Sequence, residues 1–552
     1  MREIDRLTTE RYGVSSLTLM ENAAAATVRA VTKSLSNDAL GKSVLVLCGR
    51  GNNGGDGAVA ARLLALAGAH VDVVLFGKLE DSQGDARANF EKVQSLARDR
   101  KNPASFEDCS GTVGFFECNS EEDWHALARQ ITESREVIVD ALFGTGLSRP
   151  LEGVHKEVVR YMNRWREMHD ASAHVSPWII SVDIPSGLNS DSAELIGEAV
   201  RADVTVTMTA PKPANVLPPA ANYNGELIVA DIGSPVELIE EAKPRLFVIE
   251  EADARRWLIQ TRYAPDSYKN THGHALVIAG SRGFTGAAAL CGNAAMRAGA
   301  GLVTVATPVS SQPSVAMQVM PEVMTTALAE TDRGAVSGEA VDSVLKFSER
   351  ANVIAIGPGL SSEDERTRNL VHEVVERRKT PVVIDADGLN CLSPWPADLR
   401  GSHERPVILT PHPGEMLRLM GTTDKSALND RVTAAREFAT AHGVIVVLKG
   451  TRPLIAAPDG PVFVNPTGNA GLGTAGAGDT LTGIIAGFLA QAYGTFQQDA
   501  DALTAVIAAL YLGGLAGDLA ARELGMRTMV ASDIREHLSR AICSLDPEGE
   551  QP

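Results

Sequence analysis

The feature that most constrains this chain is an alternation that appears twice. A short, uninterrupted apolar run leads into a glycine-rich turn, and the turn leads into an alanine-rich helical stretch. Ser43-Val44-Leu45-Val46-Leu47-Cys48 runs into Gly49-Arg50-Gly51-Asn52-Asn53-Gly54-Gly55-Asp56-Gly57. The pattern restarts at residues 275–279, followed by Gly280-Ser281-Arg282-Gly283-Phe284-Thr285-Gly286. A strand apolar on both faces must be covered on both faces, so it belongs in a parallel sheet between helical layers. Strands alternating with helices build such a sheet through right-handed crossovers. The expected fold class is α/β, in two halves.

Further strands are expected at 71–76, 137–140, 179–183 and 204–208 in the first half. In the second they are expected at 302–306, 353–356, 382–385, 407–409 and 444–448. Helical stretches are expected at 17–35 and from 478 to about 524. The polar, irregular segment 101–122 is expected to be a surface insertion. At 552 residues the chain exceeds one ordinary domain of about 100–200 residues. Residues 234–254 are charged and carry Pro235 and Pro244, which places the linker there. The expected division is a domain at 1–238, a linker at 239–254 and a domain at 255–545.

Charge narrows the partners. The chain carries 51 basic and 69 acidic residues, a net charge of −18. Nucleic acids and anionic membranes call for a cationic face and are excluded as partners. Nucleotides are not, because backbone amides at a helix N-terminus hold phosphates locally. The six cysteines, Cys48, Cys109, Cys118, Cys291, Cys391 and Cys543, are scattered without a CxxC pair. That pattern fits reduced thiols, not zinc or a disulfide framework. The first residues lack the apolar core of a signal peptide. The most apolar tract, 502–517, falls short of the roughly 20 residues that span a bilayer. A cytoplasmic protein and, as its assembly, a homo-oligomer are expected.

Three loops of the first half gather oxygen atoms and amides. The 49–57 loop formally matches G-x-G-x-x-G, but the next strand ends Leu75-Phe76-Gly77 without the acidic ribose partner. No Gly-Lys-Ser/Thr follows either, so it is not a Walker A loop. Asp140 opens Asp140-Ala141-Leu142-Phe143-Gly144-Thr145-Gly146-Leu147, and Asp183 opens Asp183-Ile184-Pro185-Ser186-Gly187. A lone strand-end Asp is often a helix cap. Three such loops at strand ends point instead to one crevice, where α/β sheets bind ligands. Such oxygen donors suit a hard cation.

Leu19-Met20-Glu21-Asn22-Ala23, the GxGNNGGDG loop, DALFGTGL and VDIPSG, in this order, resemble the YjeF N-terminal domain, an NAD(P)H-hydrate epimerase, over roughly residues 1–235. The resemblance implies a Rossmann-like fold and hydrated NADH or NADPH as substrate. It implies that Asn52, Asn53, Gly54, Gly55 and Asp56, with Gly144, Thr145, Gly146, Leu147, Ser148, Arg149 and Pro150, hold the dinucleotide. It implies K⁺ ligation by Asn53, Asp140 and Ser186. Asp183 would bind substrate and act as the acid/base exchanging R and S configurations, a role that needs a tuned pKa.

The second half carries Asn469-Ala470-Gly471-Leu472-Gly473-Thr474-Ala475-Gly476-Ala477-Gly478-Asp479-Thr480-Leu481. A glycine-rich turn entering an apolar helix forms an anion hole for a phosphoryl group. Asp479 can take a proton from a hydroxyl beside it; placement in a first helical turn is favourable for dipole reasons alone. The Gly-x-Gly-Asp turn resembles the ribokinase-like superfamily. Gly357-Pro358-Gly359-Leu360, Asp385-Ala386-Asp387-Gly388-Leu389-Asn390, Thr410-Pro411-His412-Pro413-Gly414-Glu415 and Leu448-Lys449-Gly450-Thr451 narrow it. Together they are similar to the ADP/ATP-dependent NAD(P)H-hydrate dehydratase over about 250–540. One departure is Ala475-Gly476, where that family often has two glycines.

With both halves present the chain resembles the bifunctional NAD(P)H-hydrate repair enzymes of bacteria. By that resemblance Gly359, His412 and Asp479 contact the hydrate, and Lys449, Gly450, Thr451, Arg452 and Pro453 with Gly478 contact ADP. Mg²⁺ would accompany the ADP, and Asp385 and Asp387 are candidate neighbours of the metal or phosphates. His412 has a plainer reading as a capping residue. Competing readings are a hydroxymethylpyrimidine- or hydroxyethylthiazole-type kinase, against which HPGE and KGT argue, and a non-catalytic scaffold, against which Asp140, Asp183 and Asp479 argue.

Overall fold

The computed structural model describes residues 1–99, 111–131, 135–170 and 178–546. Cys109 lies outside them. The chain forms two compact units, Met1–Pro244 and Arg245–Pro552.

The first unit has seven strands: β1 (Ser43–Cys48), β2 (His70–Phe76), β3 (Thr112–Cys118), β4 (Val137–Ala141), β5 (Trp178–Val182), β6 (Val204–Met208) and β7 (Glu226–Ala230). Their order is β3-β2-β1-β4-β5-β6-β7, with every pairing parallel. Successive residues of β1 serve opposite faces, as the strand period requires. Val44, Val46 and Cys48 pack beneath helices Ser16–Ser34, Asn52–Leu66 and Gly84–Asp99. Leu45 and Leu47 pack beneath Glu121–Ile131 and Gly153–Asp170. Strand order reverses between β1 and β4, so the loops after these two strands open into the crevice where such sheets bind ligands.

The expected insertion at 101–122 is corrected by β3, which pairs with β2 along its whole length; residues 101–110 lie outside the described residues. As an edge strand, half-covered, β3 mixes Gly114 and Glu117 with Phe115 and Phe116 and so gives no continuous apolar run.

The second unit has ten strands: β8 (Leu246–Val248), β9 (His274–Ile278), β10 (Leu302–Pro308), β11 (Met324–Leu328), β12 (Val353–Ile356), β13 (Val382–Ile384), β14 (Val407–Leu409), β15 (Ile445–Leu448), β16 (Leu454–Ala456) and β17 (Val462–Val464). The order is β11-β10-β9-β12-β13-β14-β15-β16-β17-β8. The strands from β11 to β15 are parallel, and β16 runs antiparallel to both its neighbours. Here the order reverses between β9 and β12, beside the loops holding Ser281 and Gly359.

Part of the expected linker belongs to this unit. β8 extends β17 in parallel, and helix Glu251–Gln260 buries Ala254, Trp257 and Leu258, with Trp257 stacked on Phe488 at 4.3 Å. A three-residue strand followed by a charged helix carries no strong periodicity, which is why it escapes sequence reasoning. The helical tract expected from 478 to 524 is two helices, Ala477–Thr495 and Ala502–Leu524. Asp501 caps the second by accepting from Leu503 N at 2.9 Å. That helix has 23 residues, more than its 16-residue apolar tract suggests. By length and composition it could cross a membrane, but 67% of its most apolar window is buried inside the protein.

Candidate active sites

In the first unit the 49–57 loop turns directly into helix Asn52–Leu66. Gly54 is there because nothing larger fits: a β-carbon would fall 1.8 Å from the Gly49 carbonyl oxygen. This close turn leaves Asn52 exposed, Asn53 half-buried and Asp56 in the next turn. Burial raises the Asp56 carboxyl well above the usual range, and the charges of Asp183 and Asp5 add to the effect.

Three of the expected residues meet at one point. A β-carbon on Gly144 would lie 3.1 Å from Asn53 Oδ1 and 3.3 Å from Asp183 Oδ2. The Asn53 Nδ2 is buried without a partner among the described residues. The rest of the loop does not converge as tightly. Thr145 O accepts a 3.4 Å bond from Ser190 Oγ, Leu147 packs toward the core, and Ser148, Arg149 and Pro150 are exposed.

Asp140 and Ser186 form a second, buried centre. Ser186 Oγ donates to Asp140 Oδ1 at 2.6 Å, while Ser186 N and Ser181 Oγ donate to Oδ2 at 2.9 and 2.8 Å. Burial raises the Asp140 carboxyl, and the bonds from Ser186 and Ser181 offset part of that. The side-chain ligand atoms of Asp140 and Ser186 are oxygens, the kind a hard alkali cation takes. No cluster of three or more His, Cys, Asp or Glu gathers for a metal among the described residues.

Asp183 follows β5 with its backbone in the left-handed region, φ 66°. For a residue with a β-carbon this strain is of order 1–3 kcal/mol and clusters at functional sites. Its Oδ1 accepts from Lys212 Nζ at 2.5 Å and from Thr207 Oγ1 at 3.2 Å. Lys212 is 5% exposed and also donates to Thr207 Oγ1 and Met208 O at 2.8 and 3.0 Å. Oδ2 stays turned toward Gly144. Sequence reasoning missed Lys212; the signal was a lone lysine in Pro211-Lys212-Pro213 within an otherwise apolar segment.

In the second unit, Gly476 takes φ 85° and starts helix Ala477–Thr495. A β-carbon would also collide with Leu290 at 2.5 Å, so this glycine is required, whereas Ala475 before it is exposed. Gly478 lies between Asp385 and Lys449: its β-carbon position is 3.5 Å from Asp385 Oδ2 and from Lys449 Nζ. Lys449 Nζ donates to Asp385 Oδ1 at 2.7 Å and lies 3.8 Å from Glu415 Oε2. Thr482 Oγ1 donates to Asp385 Oδ2 at 2.8 Å. Burial pushes Asp385 up, but Lys449 and Thr482 outweigh it and hold the carboxyl below its usual range. Asp387 accepts from Ser361 N at 2.9 Å and Asn390 Nδ2 at 3.3 Å. Both candidate metal neighbours are thus occupied by internal partners.

Asp479 differs. No hydrogen bond from a described residue reaches its carboxylate. Burial raises it to about 6; Asp385 pushes the same way and Lys449 opposes. A half-buried, unbonded carboxylate poised near neutrality is the profile of a general base. Gly359 sits against Phe284, whose carbonyl is 3.0 Å from the glycine's β-carbon position, and its own carbonyl accepts from Ser281 Oγ at 2.8 Å. His412 shows the capping geometry: Nδ1 accepts from Gly414 N and Glu415 N at 3.0 and 3.4 Å. Its Nε2 remains free of that cap, 3.5 Å from Glu415 Oε1. The 449–453 loop is fixed from outside by Arg431, which donates to Lys449 O and Thr451 O at 3.2 Å each. Arg452 stands in the left-handed region at φ 51°, and Pro453 O accepts from Asn465 N at 2.9 Å.

Comparison with known proteins agrees in both units. Residues 16–214 match the family described as YjeF-related protein N-terminus, and residues 275–540 match NAD(P)H-hydrate dehydratase. A bifunctional NAD(P)H-hydrate repair enzyme of Moorella thermoacetica is 39% identical over 550 residues, covering 100% of this chain and 97% of that one. The enzyme of the same name from Thermofilum pendens is 37% identical, covering 99% and 96%. An ADP/ATP-dependent NAD(P)H-hydrate dehydratase from Bacillus subtilis, co-crystallised with ATP/Mg²⁺, is 32% identical, covering 54% of this chain and 99% of that one with a TM-score of 0.45. Matches over essentially the whole length, on both halves, show that the chain belongs to the family of bifunctional NAD(P)H-hydrate repair enzymes.

Proposed function

We propose that the first unit interconverts the R and S hydrates of NADH and NADPH. The second unit then dehydrates the S epimer at the expense of ADP, giving AMP and phosphate. The observation that carries this reading is the pair of differently prepared carboxylates. Asp183 is tied through one oxygen to a buried lysine, with the other oxygen facing the dinucleotide loop. Asp479 is left unbonded beside a phosphate-binding turn.

In the first unit Lys212 holds Asp183 in one orientation through its Oδ1. Asp183 Oδ2 gives a proton to the hydroxyl as its bond to carbon breaks with electrons from the ring nitrogen, and takes a proton back from the water that re-adds to the opposite face, while Asn52 to Asp56 and the 144–150 loop hold the dinucleotide. Asn53, Asp140 and Ser186 supply the oxygen donors for K⁺; the Asn53 Nδ2, unpartnered among the described residues, is an N–H donor left for an acceptor oxygen of the substrate. K⁺ would supply charge that orients the substrate.

In the second unit Asp479 takes the proton from the ring hydroxyl, and the oxygen attacks the terminal phosphorus of ADP as the bond to AMP breaks. The ring nitrogen then expels phosphate, and loss of a proton from the neighbouring carbon restores NAD(P)H. Amides at Gly476 and Gly478 and the Lys449 ammonium neutralise the moving phosphoryl charge. Gly359 and His412 Nε2 border the hydrate, and residues 449–453 border ADP. Mg²⁺ would arrive on the nucleotide phosphates; Asp385 instead positions Lys449. The buried, unbridged thiols Cys48, Cys118 and Cys291 support a reducing compartment, the cytoplasm. The test is incubation with a mixed R/S NADHX preparation and ADP, following NADH absorbance and nucleotide products. Complete conversion supports both activities. Conversion that stops at the S fraction removes the epimerase, and formation of a stable phosphorylated product with no NADH would mark a kinase instead.

A further inference from the structure

Helix Arg2–Tyr12 lies outside the stretch that matches the epimerase family, yet it borders the first active site. Ile4 and Thr8 are buried at 8% and 0% exposure, and Arg11 pairs with Glu241 at 2.7 Å, so the helix is docked at both its ends. Its first turn faces the reactive loops. A β-carbon built on Gly146 would lie 3.1 Å from Arg2 Nη2, so the guanidinium covers the bare side of the glycine in the middle of the 144–150 loop. One turn further in, Asp5 is near enough to Lys212 and Asp183 to feel both charges.

Asp5, Asp56, Asp140 and Asp183 stand around this site, and its lysine, Lys212, is already committed to Asp183. Arg50 is engaged with Asp81 at 3.6 Å. Arg2 has no acceptor among the described residues, and neither has Arg149, three residues beyond Gly146. One guanidinium without an acceptor among the described residues therefore lies against the loop that faces a multiply charged dinucleotide, and the loop itself carries a second. Guanidinium presents a planar fork that matches phosphate oxygens, so phosphate is the group it recognises best.

We propose that helix Arg2–Tyr12 is a wall of the epimerase site and that Arg2 binds a phosphate of the dinucleotide substrate. The proposal rests on the epimerase reading above. The phosphate is either the pyrophosphate shared by both hydrates or the 2′-phosphate present only in NADPHX, and the assay separates them.

The experiment uses the full chain with Arg2→Gln and Arg2→Lys. Epimerisation of NADHX and of NADPHX is measured at low and high salt, with dehydration of purified S epimer as the internal control. A solvent-exposed, charge-assisted contact predicts that Arg2→Gln raises the epimerase KM about ten-fold at low salt with kcat nearly unchanged. Arg2→Lys recovers part of the loss, and high salt narrows the gap. Loss with both substrates assigns the pyrophosphate; loss with NADPHX alone assigns the 2′-phosphate. An unchanged KM with both substrates, in a protein that epimerises, overturns the role of Arg2 alone. Absence of epimerisation in the unmodified protein overturns the assignment of the unit, and this proposal with it.

Discussion

Asp479→Asn separates chemistry from stability. Asn has the same shape and leaves no cavity, and no hydrogen bond from a described residue is lost because none reaches the carboxylate. Turnover of the S hydrate is expected to fall about 10²–10⁴-fold, the usual cost of a general base, with ADP affinity within a few-fold because the amides and Lys449 remain. Stability moves the other way. The folded state holds this carboxyl at about 6 against an ordinary 3.8. Two units correspond to about 3 kcal/mol at most, which partial solvent screening reduces to about 1–2 kcal/mol. The sign follows from linkage. Between those two values the folded protein binds more protons than the unfolded chain, so the wild type loses stability as pH rises from about 4 to 6. The Asn variant lacks this loss. It is expected to melt a few degrees higher at pH 8, with the difference vanishing near pH 4. Calorimetric melting across pH, ADP titration and S-NADHX turnover check the three parts. Equal melting at pH 8 refutes the electrostatic reasoning, and normal turnover refutes the base.

Lys449→Met leaves Asp385 buried without its counter-charge, and removal of one partner of such a pair costs about 3–5 kcal/mol; denaturant unfolding of the second unit should show it, and Lys449→Met with Asp385→Asn should recover much of the loss. Asp140→Asn should slow epimerisation and abolish its response to KCl against choline chloride while dehydration proceeds; an unchanged KCl response would remove Asp140 from the cation site. Fragments 1–244 and 245–552 should each fold, the second converting only the S epimer; rapid use of both epimers by that fragment would misassign the first.

What the sequence made legible follows burial. β1, β6, β12 and β14 match their expected limits because each is covered on both faces and almost every residue in them is buried, β6 tolerating Thr205 and Thr207 within its apolar run. β3 and β7 lie at the sheet edge, and β8, β16 and β17 are three residues each, too short to show a period of their own. Reactive groups at strand ends were legible too: Asp140 and Asp183 come directly at or after their strands, and Asp479 sits in the first turn after a glycine run. Lys212 and Arg2 were not, because each acts across space. Lys212 reaches back 29 positions to Asp183, and Arg2 reaches a loop more than 140 residues away. His412 shows the opposite limit. Its motif carried a functional expectation and a capping one, and the ring satisfies the cap with one nitrogen while leaving the other available.

The two units solve a common electrostatic problem differently, and the difference follows the chemistry. Each buries one lysine against one aspartate, Lys212 with Asp183 at 2.5 Å and Lys449 with Asp385 at 2.7 Å. Epimerisation must return every proton it removes, so one group has to serve as acid and base within a turnover. Pairing the reactive carboxylate itself with lysine keeps its position constant through both proton transfers. Dehydration by phosphoryl transfer runs one way: a proton leaves the hydroxyl while negative charge moves across phosphorus. There the lysine is more useful beside the phosphate, so Asp385 holds Lys449 at Gly478. Asp479 is left unpaired, and burial, with its neighbour's negative charge added, raises its basicity. Exchanging the arrangements would defeat both reactions. A lysine paired directly to Asp479 would lower its proton affinity, and an Asp183 without Lys212 would lose the contact that fixes its orientation.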